Sequence, residues 1–217
     1  MKNYLIGASL LAGSFAAPTF AEGFYLSIGG TQQFVHEVEG DTTISGTVYD
    51  LKADIENAFG YDIELGKQFN ENWRLGLAYS HTEPKQENVT ATTGGSGVTA
   101  SISPKPTYDV DSIMFNVYRD FPKDGKFAPY VGIGLGSTNI ELQTYTTTVA
   151  GTDVTVTDDG RSVFSWDVKA GVTYELSDRT DLYGEISYGQ TSSFDEDGIN
   201  YDGIKNTNLG LGVKWNF

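Results

Sequence analysis

The chain has 217 residues, enough for one domain, a net charge of −15 and no cysteine. The charge argues against nucleic acid as a partner. The missing cysteine removes disulfide scaffolds, thiolate metal sites and thiol catalysis.

The first segment is not part of the fold. Met1-Lys2-Asn3 carries one positive charge, Tyr4 to Phe15 is apolar or small, and the stretch to Ala21 ends in small residues. This pattern predicts a secretory signal peptide over 1–21, cleaved after Ala21, with the folded domain over 22–217. A transmembrane helix needs ~20 apolar residues. This run is shorter and broken by Gly13, Ser14 and Pro18. No later run reaches that length, and the mean hydropathy is −0.29.

Eight later segments alternate apolar and polar residues with period two, which predicts strands. Phe24, Leu26 and Ile28 form one face of the first, and Tyr25 and Ser27 the other. The second sets Phe59, Tyr61, Ile63 and Leu65 against Asp62 and Glu64, and the third sets Trp73, Leu75, Leu77 and Tyr79 against Arg74. The fourth sets Ile113, Phe115 and Val117 against Met114, Asn116 and Tyr118. The fifth, with Phe127, Val131, Ile133 and Leu135, carries Tyr130 on its other face. The sixth sets Phe164, Trp166, Val168, Val172 and Tyr174 against Asp167, Lys169 and Glu175. The seventh opposes Leu182, Ile186 and Tyr188 to Tyr183 and Glu185, and the eighth opposes Leu209, Leu211, Val213, Trp215 and Phe217 to Gly212 and Lys214.

The connections alternate in length. Those near Asn70–Asn72, Pro122–Lys126 and Ser177–Thr180 are short. Those over Val35–Ala58, Thr82–Asp109, Ser137–Arg161 and Gln190–Lys205 are long and rich in Gly, Thr, Asp and Asn. A soluble barrel with an apolar inside is the rival reading. Three features oppose it. The polar face is mostly Gly, Ala, Ser and Tyr, which suits a narrow bore. Aromatics of the apolar face gather near both strand ends, as two membrane interfaces select. The loop asymmetry has no cause in a solvated barrel. The expected fold is all-β: an eight-stranded antiparallel up-and-down transmembrane barrel with short periplasmic turns and four long extracellular loops. It places the chain in the outer membrane with both termini in the periplasm.

Two motifs carry a resemblance. Lys126-Phe127-Ala128-Pro129-Tyr130-Val131-Gly132-Ile133-Gly134-Leu135-Gly136 resembles the fifth-strand signature of small bacterial outer-membrane barrels, the opacity-type proteins and the barrel of outer membrane protein A. The terminal Gly212-Val213-Lys214-Trp215-Asn216-Phe217 resembles the last-strand signal read by the outer-membrane assembly machinery, with Gly212, Trp215 and Phe217 as its marks. The resemblance implies adhesion, host-factor binding or envelope integrity. It also implies outer-membrane lipid, lipopolysaccharide and the assembly machinery as partners, and an extracellular protein partner through the loops. A monomer is expected.

The inward parity holds Asp62, Glu64, Asp167, Glu175 and Glu185 with Arg74, Lys169 and Lys214. Buried charges must pair. Counting from the turns pairs Glu64 with Arg74, and sets Glu185 between Lys169 and Lys214. With Tyr25, Tyr118, Tyr130 and Tyr183 as bulk, this predicts a plugged lumen and a barrel that anchors its loops. A narrow pore for small solutes is the alternative, and a lipid A-modifying enzyme the third reading. His36 and His81 show no spaced serine partner, so no catalytic, cofactor or metal residues are expected. The acidic stretch Asp195–Gly203 does not match the EF-hand loop. Loop one carries Glu37, Glu39, Asp41, Asp50 and Asp54 against Lys52, which predicts a negative rim.

Deleting Phe217 is expected to lower the amount of folded, heat-modifiable barrel in cells. Unchanged levels on a gel run without boiling would count against the terminal motif.

Overall fold

Period-two alternation becomes strand along the computed structural model, which describes residues 23–101, 104–149, 152–156, 160–196 and 199–217. The expected signal peptide and its cleavage site at Ala21 lie outside these residues. In chain order the strands are β1 (Phe24–Val35), β2 (Val38–Ile44), β3 (Thr47–Ile55), β4 (Ala58–Asn70), β5 (Trp73–Thr82), β6 (Gln86–Thr93), β7 (Ser96–Ser101) and β8 (Tyr108–Asp120). There follow β9 (Phe127–Leu142), β10 (Tyr145–Val149), β11 (Thr152–Val156), β12 (Arg161–Ser177), β13 (Thr180–Thr191), β14 (Phe194–Glu196), β15 (Ile199–Tyr201) and β16 (Lys205–Asn216).

Eight of them close a barrel in the order β1-β16-β13-β12-β9-β8-β5-β4. The first and last strands make the seam, paired from Tyr25↔Asn216 to Val35↔Asn206. At its lower edge Phe217 N donates to Phe24 O at 2.9 Å and Gly23 N to Phe217 O at 3.2 Å. Trp215 sits opposite Leu26, and Gly212 opposite Gly29, where Tyr183 packs against it.

The faces are inverted relative to a soluble protein. Ile133 is 56% exposed and Leu211 74%, while Tyr25 is 1% exposed and Asn116 0%. Apolar side chains point out because hydrocarbon, not water, receives them. Trp73, Phe127 and Trp215 are exposed at the short-turn end, and Phe59, Tyr61, Tyr79 and Phe164 at the loop end.

The long connections, expected as loops, carry strands of their own. Three of them join in one sheet, in the order β14-β15-β2-β3-β6-β7, and the third forms a separate hairpin, β10-β11. Two-residue turns fold the first two back: Ser45 and Gly46 have φ of 52° and 79°, and Gly94 and Gly95 of 54° and 82°. Positive φ at both central residues matches the strand twist, which sharply favours glycine. The alternation Leu51, Ala53, Ile55 against Asp50, Lys52, Asp54 then gives the sheet an apolar and a charged face.

Candidate functional site: a plugged bore beneath a roofed chamber

The lower bore is filled by one arginine caged in tyrosines. The Arg74 guanidinium lies 4.0 Å from the Tyr118 ring centre, 4.4 Å from Tyr130 and 5.6 Å from Tyr25. Ring faces attract such a cation most strongly when water is excluded, and Arg74 is 4% exposed. Its Nε donates to Asp120 Oδ1 at 3.1 Å. Gly66 makes the cage possible, since a Cβ there would run into the Tyr25 ring.

Above the cage stands Glu64. It accepts from Tyr25 Oη at 2.7 Å, Tyr118 Oη at 2.8 Å and Asn116 Nδ2 at 2.5 Å. The expected Glu64–Arg74 contact is not formed. The β4–β5 register sets Glu64 opposite Ala78 and Arg74 opposite Gln68, two inward positions nearer the turn. Arg74 therefore meets Asp120, one inward step from its cross-strand partner Tyr118.

The remaining charges divide similarly. Lys169 Nζ lies 3.0 Å from Asp167 and 3.6 Å from Glu185, so that expected contact is present. Lys214 meets Asp181 at 3.1 Å instead of Glu185, because Glu185 faces Gly210 in the β13–β16 register. Glu185 also accepts from Tyr130 Oη at 3.0 Å, and Asp62 from Tyr183 Oη at 2.8 Å. Glu175 keeps inward parity but sits at the short-turn mouth, half-buried, 2.6 Å from Lys123. Besides Lys123 in its turn, sequence reasoning missed two acidic ion-pair partners, Asp120 and Asp181. Both have inward parity, but they flank short turns, beyond where the strands were expected to begin or end. Among these groups a polar hollow of about 130 Å³ remains, lined by Asp62, Glu64, Asn116, Asp167, Lys169 and Glu185.

Over this polar layer the lining changes character. Leu51, Ala53 and Ile55 of β3 and Ile199 of β15 roof a cavity of about 340 Å³, whose walls include Val110 and Met114. Its floor is polar: Thr82 Oγ1 donates to Gln33 Oε1 at 3.0 Å, and Ser165 Oγ to Thr138 Oγ1 at 2.7 Å, while Asp167 Oδ1 and Asn208 Oδ1 are buried with no hydrogen-bond partner among the described residues. Beside Trp166, a second hollow runs between Phe164 and Lys205.

The outer face of the roof is charged. Lys52 Nζ clamps Glu37 at 2.8 Å and Glu39 at 2.9 Å, and Lys105 Nζ clamps Glu56 at 2.6 Å and Glu87 at 2.5 Å. The hydrogen bonds from these lysines hold Glu39 and Glu56 below the usual carboxylate range, and the carboxylates raise both lysines. Asp41 and Asp50 face each other across β2–β3, an unfavourable like-charge pair.

The outer membrane protein beta-barrel domain profile matches residues 7–217. The chain belongs to that family. Within reach of the family in sequence, an uncharacterized protein of Brucella abortus (strain 2308) is 25% identical, over 86% of this chain and 72% of that protein. An uncharacterized protein of Brucella melitensis matches equally. In structure, Neisserial surface protein A superposes with a TM-score of 0.55 at 17% identity, covering 90% of this chain and 98% of that one. The outer membrane protein OprG of Pseudomonas aeruginosa superposes with a TM-score of 0.56 at 14% identity, covering 90% and 96%. Family membership sets the protein in the outer membrane and the barrel in its lipid.

Breaking the cage removes one partner of a buried ion pair, which costs about 3–5 kcal/mol. Arg74→Ala is expected to destabilise the barrel by that amount in urea unfolding on lipid vesicles. Lys52→Ala in the roof should cost less than about 1 kcal/mol, as exposed pairs do. Equal effects of the two would contradict the cage.

The clamps also set a pH dependence. Glu39 and Glu56 titrate lower in the fold, so their stabilisation is full above the usual carboxylate range and fades as pH falls through their lowered values. The raised lysines keep their share until pH climbs past the usual lysine range. Acidification should therefore lower the amide protection factors, corrected for the intrinsic pH dependence of exchange, in β2, β3 and β6 while the barrel strands stay protected. Equal protection factors in the roof at neutral and acid pH would refute this.

Proposed function

We propose that the protein is a binding protein anchored in the outer membrane, with its roof facing the outside and its ligand held in the chamber. The observation that carries this reading is the 340 Å³ cavity, apolar above and closed below by the caged arginine. Its size is that of a small-molecule site, about 300–1,000 Å³. Apolar surface removed from water there contributes about 25 cal/mol per Å². The ligand that fits is a small apolar or amphiphilic molecule, its tail against Leu51, Ile55 and Ile199 and its polar end toward Gln33 and Ser112.

Short turns of such barrels face the periplasm, which puts both termini there and the loop sheet outside. The barrel is an anchor. It stands as a monomer among outer-membrane lipid and lipopolysaccharide, and Gly212, Trp215 and Phe217 serve the assembly machinery. The cage speaks against the alternative of a narrow pore, because Arg74 and three tyrosines occupy the bore that solutes would need. It acts by binding and not by catalysis. The acidic outer face favours cationic protein partners over polyanions.

A tryptophan put in place of Val110, which lines the chamber from the inward row of β8, reports on it. In a Trp73→Phe/Trp166→Phe/Trp215→Phe background carrying Val110→Trp, in nanodiscs of unbrominated phospholipid, a brominated medium-chain fatty acid should quench that tryptophan saturably. Ala53→Phe, which fills the cavity, should abolish that quenching. Quenching indifferent to Ala53→Phe would mean that the probe acts from the bilayer, and would overturn the reading. Steady, large conductance in planar bilayers would overturn the plug.

A further inference from the structure

On the outer wall of the barrel, just beyond the exposed rings of Tyr61 and Tyr79, four ionisable side chains with outward parity converge. His81 ends the outward row of β5, Glu83 follows it, and Asp109 and Asp111 lie on β8, where His81 and Asp111 are direct cross-strand partners. Asp111 Oδ1 lies 2.9 Å from His81 Nδ1 and also accepts from Tyr79 Oη at 2.5 Å. That contact leaves His81 Nε2 directed at Glu83, whose Oε1 is 3.5 Å away. The ligating atoms of His81, Glu83 and Asp109 all lie within 4.8 Å of one another. Gln143 Nε2 donates to Asp109 Oδ1 at 2.8 Å and fixes that carboxylate. Among the described residues no lysine or arginine forms an ion pair with Glu83, Asp109 or Asp111, so three carboxylates share one imidazole.

We propose that His81, Glu83 and Asp109 form a binding site for a divalent transition-metal ion of the zinc class. Its ligands would be His81 Nε2 and one oxygen from each carboxylate. Zinc binds such groups at about 2.0–2.2 Å and accepts three protein ligands with a fourth position open. The ligand atoms are already close enough for small side-chain rotations to complete the shell.

Three features support a metal over a solvated acidic patch. A ligating histidine characteristically gives its other ring N–H to a carboxylate, which fixes the ring and its tautomer. Asp111 is placed for this, and Tyr79 holds Asp111 in turn. Asp109 has a support of its own in Gln143. The imidazole sets the class of ion, because calcium and magnesium take oxygen ligands while nitrogen suits zinc, nickel and copper. The site is independent of the chamber, since its residues face away from the bore.

The test is titration of the refolded mature protein in detergent with Zn²⁺, and with Co²⁺ as a visible-absorption probe. One saturable site per chain is expected, unaffected by excess Ca²⁺. His81→Ala and Glu83→Gln should each remove it. Asp111→Asn should weaken it by about 10–100-fold, the range for loss of a ligand's supporting carboxylate. His36→Ala, which alters the only other histidine, should leave it intact. Glu83 is exposed, so Glu83→Gln tests the site even if His81→Ala impairs folding, which heat-modifiable mobility reports. Binding no tighter than millimolar, binding that survives Glu83→Gln, or binding lost with His36→Ala would each overturn the proposal.

Discussion

A backbone amide in hydrocarbon has no water to pair with, and an unpaired one costs several kcal/mol. The β1–β16 seam answers that constraint. Once the last strand pairs with the first, no edge is left in the lipid, and Phe217 meets Phe24 across the seam. Closure with eight strands also fixes the bore: it is just wide enough for side chains to fill. The glycines and small residues of the inner face, the single caged arginine and the narrow polar hollow all follow from that width.

Inside so small a bore, desolvation decides which partners a charge can keep. Arg74 and Lys214 each reach a carboxylate near a turn, while Lys169 sits between two. Glu64 is held differently, by three neutral donors whose hydrogen bonds to a charged acceptor contribute roughly 1.5–3 kcal/mol each. Two of those donors, Tyr25 and Tyr118, also present their rings to Arg74. The tyrosines thus couple an acid and a base that never touch. This spreads compensation over several groups instead of one ion pair, whose desolvation can exceed its attraction.

The barrel was legible in the sequence because lipid imposes a clean rule on every second residue. Strand count, inward parity and the two aromatic bands could all be read from it. Exact pairing could not. Parity says that Glu64 and Arg74 face inward, but the β4–β5 register and the slant of the strands decide which rung each occupies. A count from the turns misses by two inward positions. The roof was legible in principle: Ser45-Gly46 and Gly94-Gly95 are two-residue turn signals flanked by Thr, Val and Ile. They were masked by a composition of Thr, Gly and Asp that also describes open loops. The chamber was not legible at all, since it needs loops far apart in sequence to share one sheet. The His81 cluster had half a signal, in the alternating Asp109 and Asp111, but its histidine lies on another strand.

Three of the connections hang on one hydrogen-bonded ladder, through β15 on β2 and β3 on β6. A change of length or register in any one of them disturbs its neighbours, so substitutions that alter this surface have to arise together or be compensated. Among the described residues the β10–β11 hairpin shares no ladder with the rest. With the loop end outside, as proposed, and under pressure to vary there, for instance from antibodies, the protein has one connection that can drift alone and three that can only drift as a set.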